Sequence, residues 1–152
     1  MKKLITSLFI FCFIATGIVS NAAAEADKLF KTPIIKQSDQ WKIEIKKGEM
    51  AKDINNNVER YNVVITNIGK DLDKVEFNTY RDEPNIETKY GLSLNDLQYE
   101  KFKKGQVFEF TNFPISVKGN ELEFELSWHG KPYSKEVQGR KYKETFIFTP
   151  TK

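Results

Sequence analysis

The sequence predicts an all-β protein, an antiparallel β-sandwich of about seven strands behind a cleaved N-terminal signal helix. Three observations carry that expectation. Residues 121–128 alternate without a break. Leu122, Phe124, Leu126 and Trp128 fall on one side, and Glu121, Glu123, Glu125 and Ser127 on the other. This two-residue period is that of a half-buried strand. Similar runs recur along the chain with Gly, Asn, Asp or Pro signals between most of them, and no helical pattern alternates with them. That spacing favours a sandwich or barrel over an α/β fold. Finally, the one cysteine, Cys12, lies in the leader. The exported chain therefore has no disulfide, Cys-ligated zinc or thiol nucleophile, and only its core can hold it together.

The leader is read first. Lys2 and Lys3 precede an apolar run from Leu4 to Val19, and Ala22, Ala23 and Ala24 supply a small-residue cleavage site. Cleavage is expected after Ala24. The run is shorter than the roughly 20 residues of a spanning helix, and Cys12 sits mid-run, where it cannot serve as a lipidation site. The 152 residues less the 24 of the leader leave 128, enough for one domain. Two of the 24 basic residues leave with the leader, so 22 face 21 acidic ones, a formal net charge of +1. Such a balance offers no broad field for nucleic acid or anionic lipid. The expected location is secreted, extracellular or cell-surface, with no membrane association after cleavage.

Residues 25–40 are polar and mixed and are assigned as an N-terminal extension, with Ile34 and Ile35 as a short edge segment. The domain proper is assigned to 41–152. Trp41, Ile43 and Ile45 mark its first strand. Asn55, Asn56 and Asn57 suit a connection, because asparagine tolerates left-handed backbone. Residues 58–68 carry apolar side chains on both faces, as expected of a central strand covered on both sides for part of its length. After a turn at Asn67–Asp71, residues 75–80 place Val75, Phe77 and Thr79 inward. Residues 86–104 admit a short helix or a strand. Ser93 to Asp96 resembles a helix start and Lys103, Lys104 and Gly105 a helix stop, yet Leu97, Tyr99 and Phe102 fit neither period. Residues 106–111 form a strand with Phe108 and Phe110 together. Phe113, Pro114 and Ile115 follow. Residues 121–128 are next, central and beside a last strand, 141–149. There Tyr142, Glu144, Phe146 and Phe148 share a face, and Pro150 stops the strand.

The run Val63-Val64-Ile65-Thr66-Asn67-Ile68-Gly69-Lys70, followed by Val75-Glu76-Phe77, resembles bacterial secreted immunoglobulin-like domains, which often end a strand in a Thr-Asn-x-Gly turn. Phe102-Lys103-Lys104-Gly105-Gln106-Val107-Phe108 resembles their turn into a later strand. The resemblance spans most of residues 41–149 and implies an immunoglobulin-like sandwich. Such domains act as binders, inhibitors, spacers and adhesin parts, so the fold alone names no function.

The chemistry-bearing residues point away from catalysis. His129 is the sole histidine, at a strand end, and no nucleophile elbow accompanies it. Glu121, Glu123 and Glu125 read as a solvated face that pairs with neighbouring lysines. Asp53 to Glu59 has oxygen side chains at alternate positions, but Val58 and Val64 occupy the places where an EF-hand needs glycine and an acid. No catalytic residue, metal or cofactor is expected. Three of the 20 aromatics leave with the leader, and most of the remaining 17 are core. Tyr80, Tyr90 and Tyr133 do not fit the core face and, with Arg81, are the candidate binding residues, since exposed rings are frequent contact points. The expected function is a secreted non-catalytic binding module for an extracellular protein or glycan. The alternatives are an inhibitor of an extracellular protease or other enzyme, acting through a loop such as 80–91, and, third, a glycan-active enzyme. The oligomeric state stays open.

Overall fold

A computed structural model describes residues 29–49, 57–82, 87–92 and 97–151. The leader and its Ala24 junction, residues 53–56 of the oxygen-rich loop and residues 93–96 lie outside this set. The described residues contain nine strands and no helix: β1 (Ile34–Gln37), β2 (Trp41–Lys47), β3 (Val58–Asn67), β4 (Leu72–Asp82), β5 (Tyr90–Gly91), β6 (Leu97–Phe102), β7 (Val107–Ser116), β8 (Glu121–His129) and β9 (Lys141–Phe148). They form two antiparallel sheets. One runs β1-β2-β3-β7 and the other β5-β4-β8-β9. β6 shares with β5 the edge of β4 that faces away from β8.

The sheets meet through aromatic rings. Trp41 on β2 lies 5.8 Å from each of Phe77, Phe102 and Trp128 on the other sheet. Phe77 lies 5.3 Å from Phe108 on β7. All four inward residues of the 121–128 run, Leu122, Phe124, Leu126 and Trp128, are buried. As expected, β8 is central, paired with β4 and β9.

Three expectations change, and one alternative left open is decided. Packing begins before Trp41. Leu29 and Phe30 are buried, while β1, the edge segment expected at Ile34 and Ile35, pairs with β2 in full register. The Leu29 N–H donates to Glu59 Oε2 at 3.0 Å, and the Phe30 N–H to the Tyr61 hydroxyl at 3.1 Å. That hydroxyl in turn donates to Glu59. Thr151 joins the segment through its N–H to the Leu29 carbonyl. Polar surroundings hid this anchor, because two apolar residues show no period.

Second, β3 is central in its sheet but meets the core on one face only. Tyr61, Val63, Ile65 and Asn67 are buried, whereas Asn62, Val64 and Thr66 are half-buried. Third, residues 97–102 are a strand. Leu72 pairs with Phe102 and Val75 with Tyr99, with Lys101 at φ 58° between them. Leu72 and Phe102 face inward, as do Val75 and Tyr99, so the facing switches parity within one ladder and the period is masked. Fourth, Phe113, Pro114 and Ile115 continue β7. Tyr61 pairs with Phe113 and Val63 with Phe110, so Asn62 opposes both Thr111 and Asn112. This bulge has Asn112 at φ 55°, its N–H on Asn62 Oδ1 at 2.8 Å. The extra residue switches the inward set from Phe108 and Phe110 to Phe113 and Ile115. Pro114 is tolerated because β7 is an edge strand.

Candidate functional site

The turns at one end of the body enclose a cleft of about 1100 Å³. Its walls come from four connections: the β1–β2 turn, the β3–β4 turn, the β6–β7 turn and the β8–β9 loop. One buried amide fixes three of these pieces. Asn67 Nδ2 donates to the Lys70 carbonyl at 2.9 Å and to the Phe102 carbonyl at 3.1 Å. Its Oδ1 accepts from the Gly69 N–H at 3.1 Å and from Gln40 Nε2 at 2.6 Å. Gln40 answers with its backbone carbonyl, which receives the N–H groups of Ile68 and Gly69. An asparagine with all its amide valences used is rigid, so the cleft is built before any ligand arrives. The β6–β7 turn closes on Gly105, whose φ of 80° suits glycine, and the Lys104 N–H donates to Asp71 Oδ1 at 2.8 Å.

The opposite wall is aromatic. Trp128 at the end of β8 and Tyr142 at the start of β9 are cross-strand partners. Their rings stack 5.7 Å apart at 17°. Trp128 is buried while Tyr142 keeps 44% of its surface exposed. The Arg140 guanidinium lies 5.8 Å from the Tyr142 ring centroid. Alternation assigns Tyr142 to the core face with Phe146 and Phe148. It shares their parity, but it stands where the core ends and the cleft begins.

The β8–β9 loop beside this wall is ordered by its own bonds. The Gly130 N–H reaches the Arg140 carbonyl at 3.0 Å, and the Tyr133 N–H reaches the Val137 carbonyl at 2.9 Å. His129 Nδ1 meets the Gly139 carbonyl at 2.9 Å, so the sole histidine braces the loop. A Cβ at Gly139 would stand 2.3 Å from the carbonyl oxygens of Gly130 and Lys131, so only glycine fits this approach.

The four candidate binding residues do not converge. Tyr133 is 74% exposed, on the β8–β9 loop at the cleft end. Arg81 and Tyr90 pair near the other end, the guanidinium 5.2 Å from the ring centroid. Tyr80 lies on the outer face of its sheet, opposite Glu123. Adjacent residues of a strand point to opposite faces, which separates Tyr80 from Arg81.

The acidic face of β8 engages neighbouring cations. Glu123 binds Lys89, and Glu125 lies 2.9 Å from Lys143. These bonds raise the lysine pKa values above the ordinary ammonium value. On β4, burial would raise the Glu76 carboxyl. The Ser127 hydroxyl at 3.1 Å and Lys141 at 3.4 Å outweigh it and hold the group below the usual carboxylate value.

A family model described as YozF-like secreted protein matches residues 25–152. The chain belongs to the YozF-like secreted protein family. Membership shows the expected export: this is a secreted protein. The chain is also similar to "Uncharacterized protein YozF" of Bacillus subtilis (strain 168). The two are 25% identical over 166 aligned residues, which cover 98% of this chain and 97% of that one. No solved structure matches the chain significantly. For this family member, the anchor by which Leu29, Phe30, Glu59 and Tyr61 meet lies inside the matched segment, as does the whole cleft.

Proposed function

We propose that this secreted protein is a non-catalytic binding module on an immunoglobulin-like β-sandwich, with its ligand site in the end cleft. The observation that carries the reading is a preformed cleft of about 1100 Å³, walled by the Trp128–Tyr142 stack and by turns locked through Asn67 and Gln40. Binding sites are concave, largely pre-formed and lined by rings with a few placed polar groups. The strand order supports the fold assignment: β2-β3-β7 faces β6-β4-β8-β9, and the cleft lies among loops clustered at one end, as binding loops of such sandwiches do. The family match starting at residue 25 supports cleavage after Ala24.

The test is binding of labelled protein to the outer surface of the producing cells. Wild type is expected to bind saturably. Tyr142→Ala, which removes the exposed ring, is expected to lose at least tenfold in affinity, and Tyr90→Ala at the far end to bind normally. Normal binding by Tyr142→Ala would move the site elsewhere.

A second reading is inhibition of an extracellular protease or other enzyme. It is favoured by the braced β8–β9 loop, which presents Tyr133 and Val137 to solvent. A panel of extracellular proteases slowed by wild type but not by Tyr133→Ala would place this reading first. A panel that is not slowed at all would remove it.

A further inference from the structure

We infer that the cleft takes an acidic glycan, with sugar rings against Tyr142 and carboxylate or phosphate groups on a cluster of lysines around it. This inference rests on the cleft being the binding site and names its ligand class.

The first observation is where unpaired cations stand. Lys42, Lys46, Lys89, Lys141 and Lys143 each have a carboxylate within 4 Å. Lys70, Lys104 and Lys131 line the cleft. A smaller adjoining depression of about 180 Å³ is lined by Lys101, Lys103 and Lys131 and shares Asp71, Leu72 and Lys131 with the cleft. Among the described residues, none of these five lysines makes an ion pair. Asp71 already accepts the Lys104 backbone N–H, and Asp39 and Asp73 are the other acids lining the two depressions. Five cations against three carboxylates leave a local positive excess that the near-neutral total hides. A concave wall with such an excess concentrates anions.

The second observation is strain. Lys101 holds φ 58°, a left-handed conformation that a lysine rarely adopts. Non-glycine residues in this region persist where the surrounding structure dictates them, and they gather at ligand sites. The conformation sits within the basic cluster itself.

The third observation is the company these charges keep. A simple anion needs no ring, and a flat hydrophobic ligand needs no lysines. Here an exposed tyrosine, backed by Trp128 and crossed by the Arg140 guanidinium, stands on the wall of the same cleft as Lys131. The Asp39 carboxylate, which can accept from hydroxyl groups, lines the same cleft. Aromatic face, hydrogen-bonding rim and dispersed ammonium groups together match a chain of hydroxylated rings that carries acid groups. The Arg140 fork suits a carboxylate or phosphate.

Calorimetric titration of the secreted protein with three oligosaccharide probes tests this: oligogalacturonate for carboxylate, a phosphorylated oligomannose for phosphate, and neutral dextran of equal length. At least one charged probe is expected to bind at least tenfold tighter than dextran, and which one identifies the acid group. Lys104→Gln with Lys131→Gln should weaken that binding at least tenfold, and so should Tyr142→Ala. Lys42→Gln with Lys46→Gln, on the outer face of β2 and each paired with Glu44, should leave it unchanged. Thermal melting verifies that each variant is folded. Equal weakening by the Lys42 and Lys46 changes would reduce the effect to diffuse charge attraction and overturn the inference. Tighter binding of poly-glutamate than of either charged sugar would also overturn it. Binding of dextran alone, lost in Tyr142→Ala, would overturn the acidic preference while the cleft stayed the site. No probe binding by a protein whose attachment to cells still requires Tyr142 would overturn the ligand class alone.

Discussion

Glu76 is one residue at which the outer face of the second sheet can be read as chemistry. Its carboxylate holds the Ser127 hydroxyl and the Lys141 ammonium, and its folded pKa is depressed. A depressed acid adds stability that is complete above its unfolded pKa and is lost as pH falls through the folded value. Denaturant midpoints measured from neutral pH downward should therefore fall through the acid range, and Glu76→Gln should flatten that fall. The pair is largely solvated, so the change in slope should be small. An unchanged acid limb in Glu76→Gln would show that Ser127 and Lys141 hold nothing. Lys89 and Lys143 act in the opposite sense. Their raised pKa values add stability below the ordinary lysine value that is lost as pH rises through the folded one.

At the scale of an element, β7 is the instructive strand. Its even-numbered phenylalanines face inward before the bulge and its odd-numbered apolar residues after it, and Asn112 absorbs the change. Asn112 also accepts the Glu49 N–H on its Oδ1 at 3.1 Å, tying the start of the β2–β3 connection to the bulge. Asparagine tolerates positive φ, and a β-branched residue does not. Asn112→Val is expected to lose about 1–3 kcal/mol in urea unfolding, and Asn112→Gly less than half of that. Equal stability of the two variants would remove backbone conformation as the cause. The edge strands carry their own protection. Lys36 on β1 reaches across to the Ile147 carbonyl of β9 and lies 5.4 Å from the Phe148 ring centroid, which places a charge at the side where both sheets end.

At the scale of the molecule, the segment before Trp41 packs into the same core as the sheets. Phe30 has no exposed surface and packs edge-on against Tyr61 at 5.4 Å. Burial and the bond to Glu59 push the Tyr61 phenol well above its ordinary pKa, which favours the neutral hydroxyl that donates to Glu59. Phe30→Ala is expected to cost about 3–5 kcal/mol, as a buried ring does in a core. Thermal melting should show one lowered transition, because the segment and the sheets share a core. A local change with the main transition intact would make the segment a detachable arm.

Much of this was legible in the chain. Residues 121–128 declared a strand, a facing and a central position, and the structure places each as read. The Thr66-Asn67-Ile68-Gly69 run declared a turn. Export was expected from residues 1–24 and is shown by family membership. These signals are local, since alternation and turn chemistry need only neighbours in sequence. What only the tertiary structure decided depends on residues far apart. Gln40 meets Asn67, Tyr142 meets Trp128, and Lys70, Lys104 and Lys131 gather from three connections. Periodicity could not reveal the parity changes at Lys101 and Asn112, because a single left-handed residue reverses the facing of every later residue in its strand. Nor could it set Tyr90 opposite Arg81, or bring Tyr133 to the cleft end. The sequence by itself determined a secreted all-β chain and the inward face of most of its strands. The cleft exists only because antiparallel pairing brings four distant connections to one end of the two sheets.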